Sequence, residues 1–149
     1  MEGEAEYGLA VFEVSGHQIK REMGVTGDGL GWVNQMKWSR FPHSARELIA
    51  ICAHDRLIVV NAAQELRVVL TLDRRRVAPG RLLCFEWHPV SEILYVGGLF
   101  DKILGFDCGG ELATELNPYC KTRELVFSPS GKLFSIGATT QGQLVKYCV

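Results

Sequence analysis

The chain has 149 residues, of which 47% are hydrophobic and 22% are charged, enough to bury the core of one globular domain. Its net charge of −1 provides no overall field that would attract nucleic acid or a membrane surface. No apolar run approaches the roughly 20 residues of a membrane span, and the acidic segment 1–8 is unlike a secretory signal. The composition therefore predicts a cytoplasmic or nuclear protein with no membrane partner.

The charge is unevenly spread, because residues 31–81 carry a net +5 whereas the segments on either side are acidic. A basic segment indicates either an acidic partner or, more commonly, a solvated surface. The five cysteines are odd in number and include no C-x-x-C pair, which favours reduced thiols in an intracellular protein. The four histidines lack the spacing of a zinc site, so we expect no metal, no cofactor and no catalytic residue.

The first predicted element is a leading strand at about residues 8–13, an apolar run that ends at Glu13. Residues 18–21 follow as a candidate outer strand. The Gly-rich segment 24–31 lacks the spacing and the lysine of a phosphate-binding loop, and no helical pattern follows it. This segment predicts a loop that leads into the next strand.

Three later stretches repeat one pattern, at residues 33–61, 82–107 and 124–147. In the middle copy, apolar and polar residues alternate over 82–87, as in a strand with one buried face. Turn residues and two more short strands follow, and residues 111–115 can add an outer fourth strand. The later turns and strands of this copy are His88–Ser91, Ile93–Val96, Asp101–Lys102 and Ile103–Phe106. A four-stranded meander of about 40 residues has the size of a propeller blade.

The aligned copies place three aromatic residues at one position, Trp38, Trp87 and Phe127, and we expect all three to be buried between blades. Trp87 and Phe127 are 40 residues apart. Pro89 and Pro129 follow the last two of these aromatics and end the strand, because proline cannot donate a hydrogen bond to a sheet.

Asp55 and Asp101 stand at equivalent positions between the second and third strands of their repeats. A catalytic carboxylate pair is one interpretation, but one aspartate per repeat places the two a whole blade apart. We interpret them instead as turn caps, whose carboxylates accept hydrogen bonds from backbone N–H groups.

The repeat resembles the WD-repeat β-propeller family over roughly residues 8–148. The segment 127–134 (FSPSGKLF) is close to the family's turn after the first strand, and Trp87-His88-Pro89 is a variant of that turn. Phe106-Asp107 stands where the family places Trp-Asp, and Val60-Asn61 is a weaker equivalent.

The resemblance implies an all-β fold: a β-propeller segment of about three four-stranded antiparallel blades plus a leading strand, in a single domain. Propellers typically close with 4–8 blades, and the family's Gly-His pair is missing from each copy. We therefore expect a larger propeller, closed by another chain or by a missing segment. The approximate limits are 1–149 for the domain, 18–61, 66–107 and 111–148 for the repeats, and 8–13 for the leading strand.

The family implies a non-enzymatic protein–protein interaction scaffold within a larger assembly, and its geometry gathers several loops on one face. Arginine suits carboxylates, phosphates and nucleic-acid backbones, so RNA or an acidic protein segment bound by the Arg74–Arg76 loop is an alternative. A solvated loop is the structural alternative. A propeller-type hydrolase is disfavoured, because no convergent acids, bases or metal ligands are visible. The candidate partner-binding residues are Arg74, Arg75, Arg76, Arg81, His54 and Phe100.

Overall fold

The structure is a computed structural model that describes residues 8–26, 33–41, 46–53, 56–73, 80–117, 121–138 and 144–148. These residues form thirteen β-strands and one short 3-10 helix, Ala62–Gln64, and the strand pairs are antiparallel. No helix in this described part is long and apolar enough to cross a membrane.

Consecutive strands pair and divide the described chain into a leading hairpin and three blades. The leading hairpin is β1 (Gly8–Ser15) and β2 (Gln18–Thr26). The first blade is β3 (Val33–Trp38), β4 (Leu48–Ala53), β5 (Arg56–Asn61) and β6 (Arg67–Asp73). The second blade is β7 (Leu82–Trp87), β8 (Ile93–Gly98), β9 (Ile103–Asp107) and β10 (Leu112–Leu116). The third blade is β11 (Lys121–Phe127), β12 (Lys132–Ala138) and β13 (Leu144–Cys148).

The three blades share one register at the end of their first strand. Trp38 pairs with Ile49, Trp87 with Leu94 and Phe127 with Leu133, so each aromatic lies opposite an aliphatic residue of the second strand. The three aromatic residues aligned in the sequence therefore occupy the same position in their three blades.

A tight turn follows the first strand of the third blade, as its Ser-Pro-Ser-Gly sequence suggests. The Ser128 N–H donates to the Lys132 carbonyl (2.8 Å), and the Ser128 Oγ accepts from the Lys132 N–H (3.0 Å). Gly131 takes a φ of +82°, which a residue with a side chain adopts only with strain. Pro129 lies within this turn, where it leaves no sheet hydrogen bond unmade.

Among the described residues, Asp107 and Asn61 cap turns, and Asp101 does not. The Asp107 Oδ1 accepts from the N–H groups of Gly109 (2.9 Å) and Glu111 (3.0 Å), at the end of the third strand. The Oδ1 of Asn61, the equivalent residue of the first blade, accepts from the Ala63 N–H (3.1 Å) and from the Glu47 N–H before β4 (3.2 Å). Asp101 is exposed and makes no hydrogen bond among the described residues, so its predicted capping role is wrong. Asp55 lies outside the described residues.

The hydrophobic core lies between the blades. Leu82, Phe85 and Trp87 of β7 pack against the first blade, whereas Cys84 of the same strand faces Leu125, Phe127 and Leu133 of the third. Trp87 is 0% exposed and Phe127 is 3% exposed. The two faces of β7 are thus buried in two different interfaces between blades, and β7 is almost wholly buried.

Trp38 departs from the expected burial, since it is 50% exposed. Trp87 and Phe127 each pack against the blade that precedes their own. The blade that would precede Trp38 is represented by only two strands among the described residues, β1 and β2. Leu9 of β1 packs against Ile49 and neighbouring residues of the first blade, but no described inner strand covers Trp38.

Candidate partner-binding cavity at the inner strands

The first strands of the three blades, β3, β7 and β11, lie next to each other, with β7 packed between the other two. Each strand carries one β-bulge near its start. In the pairing of β3 with the second strand of its blade, Val33 and Gln35 lie opposite two consecutive residues, so Asn34 between them has no pairing partner. Leu83 and Arg123 are the extra residues of the other two strands. A bulge turns its unpaired residue away from the regular alternation of the strand.

These three bulged residues meet in space. Asn34, Leu83 and Arg123, with Arg81 and Glu124, line one cavity of about 440 Å³. Leu83 is half-buried and the four polar residues are exposed. The cavity therefore presents two guanidinium groups, one carboxylate, one amide and an aliphatic wall, which are groups that can bind a polar ligand.

Close backbone contact holds Arg81 at the cavity. The Leu99 N–H donates to the Arg81 carbonyl at 2.9 Å. A Cβ added at Gly98 would lie 2.1 Å from the Arg81 carbonyl oxygen, and one at Gly80 would lie 2.3 Å from the Leu99 carbonyl oxygen. Only glycine permits this crossing of two backbone segments, so the chain just before β7 has a defined position.

Phe100, a predicted partner-binding residue, is buried and only 7% exposed, so that prediction is wrong. Its ring belongs to the core between the first and second blades. A Cβ at Gly80 would lie 3.2 Å from the ring, and one at Gly98 would lie 2.7 Å from it. Phe100 therefore supports the crossing beneath Arg81, because an aromatic ring gains more from burial than from exposure on a loop.

Of the other predicted partner-binding residues, Arg81 is exposed and lines the cavity. His54 and the three arginines Arg74–Arg76 lie outside the described residues. Arg123, Asn34 and Glu124 were not expected from the sequence. The signal for Asn34 and Arg123 was the repeat position four residues before the shared aromatic, which carries Asn34, Leu83 and Arg123 in the three copies; Glu124 had no such signal.

A second group of polar contacts joins the first and second blades beside this cavity. The Lys37 Nζ lies 2.6 Å from the Glu86 Oε2 and 5.7 Å from the centre of the Phe85 ring. The Trp87 Nε1–H donates to the Lys37 carbonyl at 3.1 Å, and the Gln35 Oε1 accepts from the Phe85 N–H at 3.2 Å. These contacts satisfy Glu86, which is 4% exposed, and they keep β3 and β7 in register.

The described thiols have little nucleophilic character. Burial raises the pKa of the Cys84 thiol to about 12 and the pKa values of Cys52 and Cys108 to about 11. The thiolate is the reactive form, and it is scarce at neutral pH when the pKa is this high. Within the described residues, no three His, Cys, Asp or Glu side chains are grouped as a metal site.

Comparison with known proteins supports the fold. No protein-family model and no curated protein matches the sequence. A chain of the Chaetomium thermophilum polycomb repressive complex 2 superposes with a TM-score of 0.63 and 12% identity, over 78% of this chain and 27% of that one. A chain of a mitotic checkpoint complex superposes with a TM-score of 0.65 and 18% identity, over 90% and 42%.

These likenesses confirm the predicted fold class: the chain is an all-β propeller segment of antiparallel blades. Identities this low show the fold alone. The chain spans less than half the length of either of the two structures that it resembles.

Proposed function

We infer that this chain is a non-enzymatic scaffold for protein–protein interaction, a WD-repeat type of propeller that works within a larger protein or complex. A rigid set of blades is suited to this task, because loops and strand ends can vary without disturbing the core. Two structures with this fold are chains of multiprotein complexes. The unpaired cysteines Cys52, Cys84 and Cys108 are in keeping with a reducing compartment, the cytoplasm or nucleus.

The exposure of Trp38 carries this proposal. Val33, Met36 and Trp38 lie on one face of β3 and are 39%, 54% and 50% exposed, while Trp87, the equivalent of Trp38, is 0% exposed. A single exposed apolar residue is ordinary, but a contiguous apolar face is typical of an interaction surface. This open face needs the inner strands of a preceding blade to cover it.

The third blade has a matching open face at the other end of the described chain. Val126 and Ile136 are 50% and 54% exposed on the side away from the second blade. The outer strand of this blade, β13, pairs only with β12 among the described residues. Unpaired strand edges and apolar faces invite further strands, so we expect both ends to be completed by strands from a further segment or from another chain.

Sedimentation velocity over a range of concentrations, with a thermal melt, tests this proposal. We expect the isolated chain to self-associate or to melt without cooperativity, and Trp38→Lys to reduce self-association. Val90→Lys is the matched control, since Val90 is 68% exposed on the turn after β7, in the second blade and not on β3. A monodisperse monomer that melts cooperatively at all concentrations would contradict the proposal.

A further inference from the structure

We propose that the cavity lined by Arg81 and Arg123 binds a carboxylate side chain from an acidic peptide segment of a partner protein. This inference rests on the proposed scaffold function and adds the chemical class of the partner. It also gives that function a specific anchoring point, separate from the open face around Trp38.

The first argument is that Arg81 and Arg123 form no ion pair among the described residues, although the Glu124 carboxylate lines the same cavity. Lys37 pairs with Glu86, and Arg46 pairs with Glu92, so cations at the neighbouring blade contacts have carboxylate partners. Within the described residues, no ion pair joins Arg81 or Arg123 to a carboxylate. Two guanidinium groups that line the same cavity without such a partner favour an external anion, and a guanidinium fork binds a carboxylate through two parallel hydrogen bonds.

The second argument is preorganisation. The Arg81 backbone is held by the hydrogen bond from the Leu99 N–H to the Arg81 carbonyl. The close approach of Gly98 to the same carbonyl, and of Gly80 to the Leu99 carbonyl, fixes the two backbone segments against each other. Arg123 is the bulged residue of β11, a strand in which Thr122 and Leu125 are fully buried. Because both backbones are ordered before binding, the conformational entropy that this protein itself loses on binding is mainly that of the two side chains.

The third argument separates a peptide from a nucleic acid. Glu124 lines the same cavity and disfavours a second anionic group beside the bound one, so a single carboxylate flanked by neutral residues fits better than a continuous run of phosphates. Glu124 can also accept a hydrogen bond from a peptide N–H. Asn34 offers both a donor and an acceptor, and Leu83 offers an apolar contact. A volume of about 440 Å³ accommodates a side chain with its flanking backbone.

Fluorescence anisotropy of the full chain with a short labelled peptide of alternating Glu and Gly tests the inference. The Gln and Gly peptide of the same length is the uncharged control. We expect Arg81→Gln and Arg123→Gln each to weaken binding of the acidic peptide by about tenfold, since a hydrogen bond to a charged group is lost. Arg67→Gln is the matched control: Arg67 is exposed on β6, the outermost strand of the first blade, and its loss should change binding little.

Three results would overturn the inference. One is equal binding of the acidic and amide peptides. Another is an equal loss of affinity in Arg67→Gln and Arg123→Gln, which would indicate general charge attraction. The third is tighter binding of a single-stranded RNA that depends on Arg81 and Arg123, which would assign the cavity to nucleic acid. None of these results affects the sedimentation test, because Trp38 does not line this cavity.

Discussion

Replacing each of the two equivalent tryptophans with alanine should have very different effects on stability. Trp87 is 0% exposed, and Trp38 is 50% exposed at the same position of the preceding blade. A buried tryptophan removes roughly 200 Å² from water, which is worth about 5 kcal/mol as an upper limit. Measured truncations of large aromatics cost about 3–5 kcal/mol, so we expect Trp87→Ala to lower the free energy of unfolding by that amount.

The loss on Trp38→Ala should be about 1–2 kcal/mol, since half of the side chain already contacts solvent in the described chain. Trp87→Phe should cost much less than Trp87→Ala, about 1–2 kcal/mol, because it keeps most of the apolar contact and loses the hydrogen bond from Nε1 to the Lys37 carbonyl.

Urea denaturation followed by circular dichroism measures these differences. With a urea dependence of about 1–3 kcal/mol/M for a small protein, a difference of about 2 kcal/mol moves the midpoint by roughly 1 M. Equal midpoint shifts in Trp38→Ala and Trp87→Ala would refute the reasoning, because they would mean that Trp38 is covered in the folded state. Repeating the titration at a lower protein concentration would show whether a second copy provides that cover.

Three further substitutions test other contacts. Gly98→Ala should destabilise the protein strongly and lower its melting temperature, because its Cβ would lie 2.1 Å from the Arg81 carbonyl oxygen. Gly16→Ala meets no atom within 4 Å and should cost less, about 1–2 kcal/mol, which is the strain of a side chain at its φ of +58°. Thr122→Val should leave the urea midpoint unchanged or raise it, because Thr122 is fully buried and its Oγ1 has no hydrogen-bond partner among the described residues. Burial lowers the pKa of His88, whose Nδ1 accepts from the Val90 N–H. The stabilisation from neutral His88 is therefore present above the unfolded pKa of about 6.5 and lost as the pH falls through the folded pKa. The melting temperature of the wild type should then fall more steeply below pH 6.5 than that of His88→Gln, and parallel pH profiles would count against this role.

Much of the local structure could be predicted from the sequence. Alternation over 82–87 predicted β7, and the Pro-containing turns at Pro89 and Pro129 marked the ends of β7 and β11. These features depend on side-chain direction and backbone chemistry within a few residues. The exposed surface was harder to predict: Phe100 was expected on a partner-binding loop and is buried beneath Gly80 and Gly98. Loop position in the family suggested exposure, whereas the crossing of two backbone segments required an apolar support.

The cavity could not be predicted, since its residues lie on three strands that are separated by about 40 to 50 positions in the chain. Nothing near Arg123 in the sequence indicates that it lies with Arg81. The shared position of Asn34, Leu83 and Arg123 was visible in the aligned copies, but the bulges that turn these residues away from the sheet become apparent only from the strand register.

The sequence by itself determined that this chain is a repeated, all-β protein built of antiparallel blades, because period-2 patterning and turn residues act locally and recur. The tertiary structure alone decided which equivalent residues are buried and which are open. Trp38 and Trp87 hold the same position in their blades, yet one is half exposed and the other fully buried. The physical reason is that burial depends on the neighbouring blade, and the residues that provide that neighbour lie a whole repeat away.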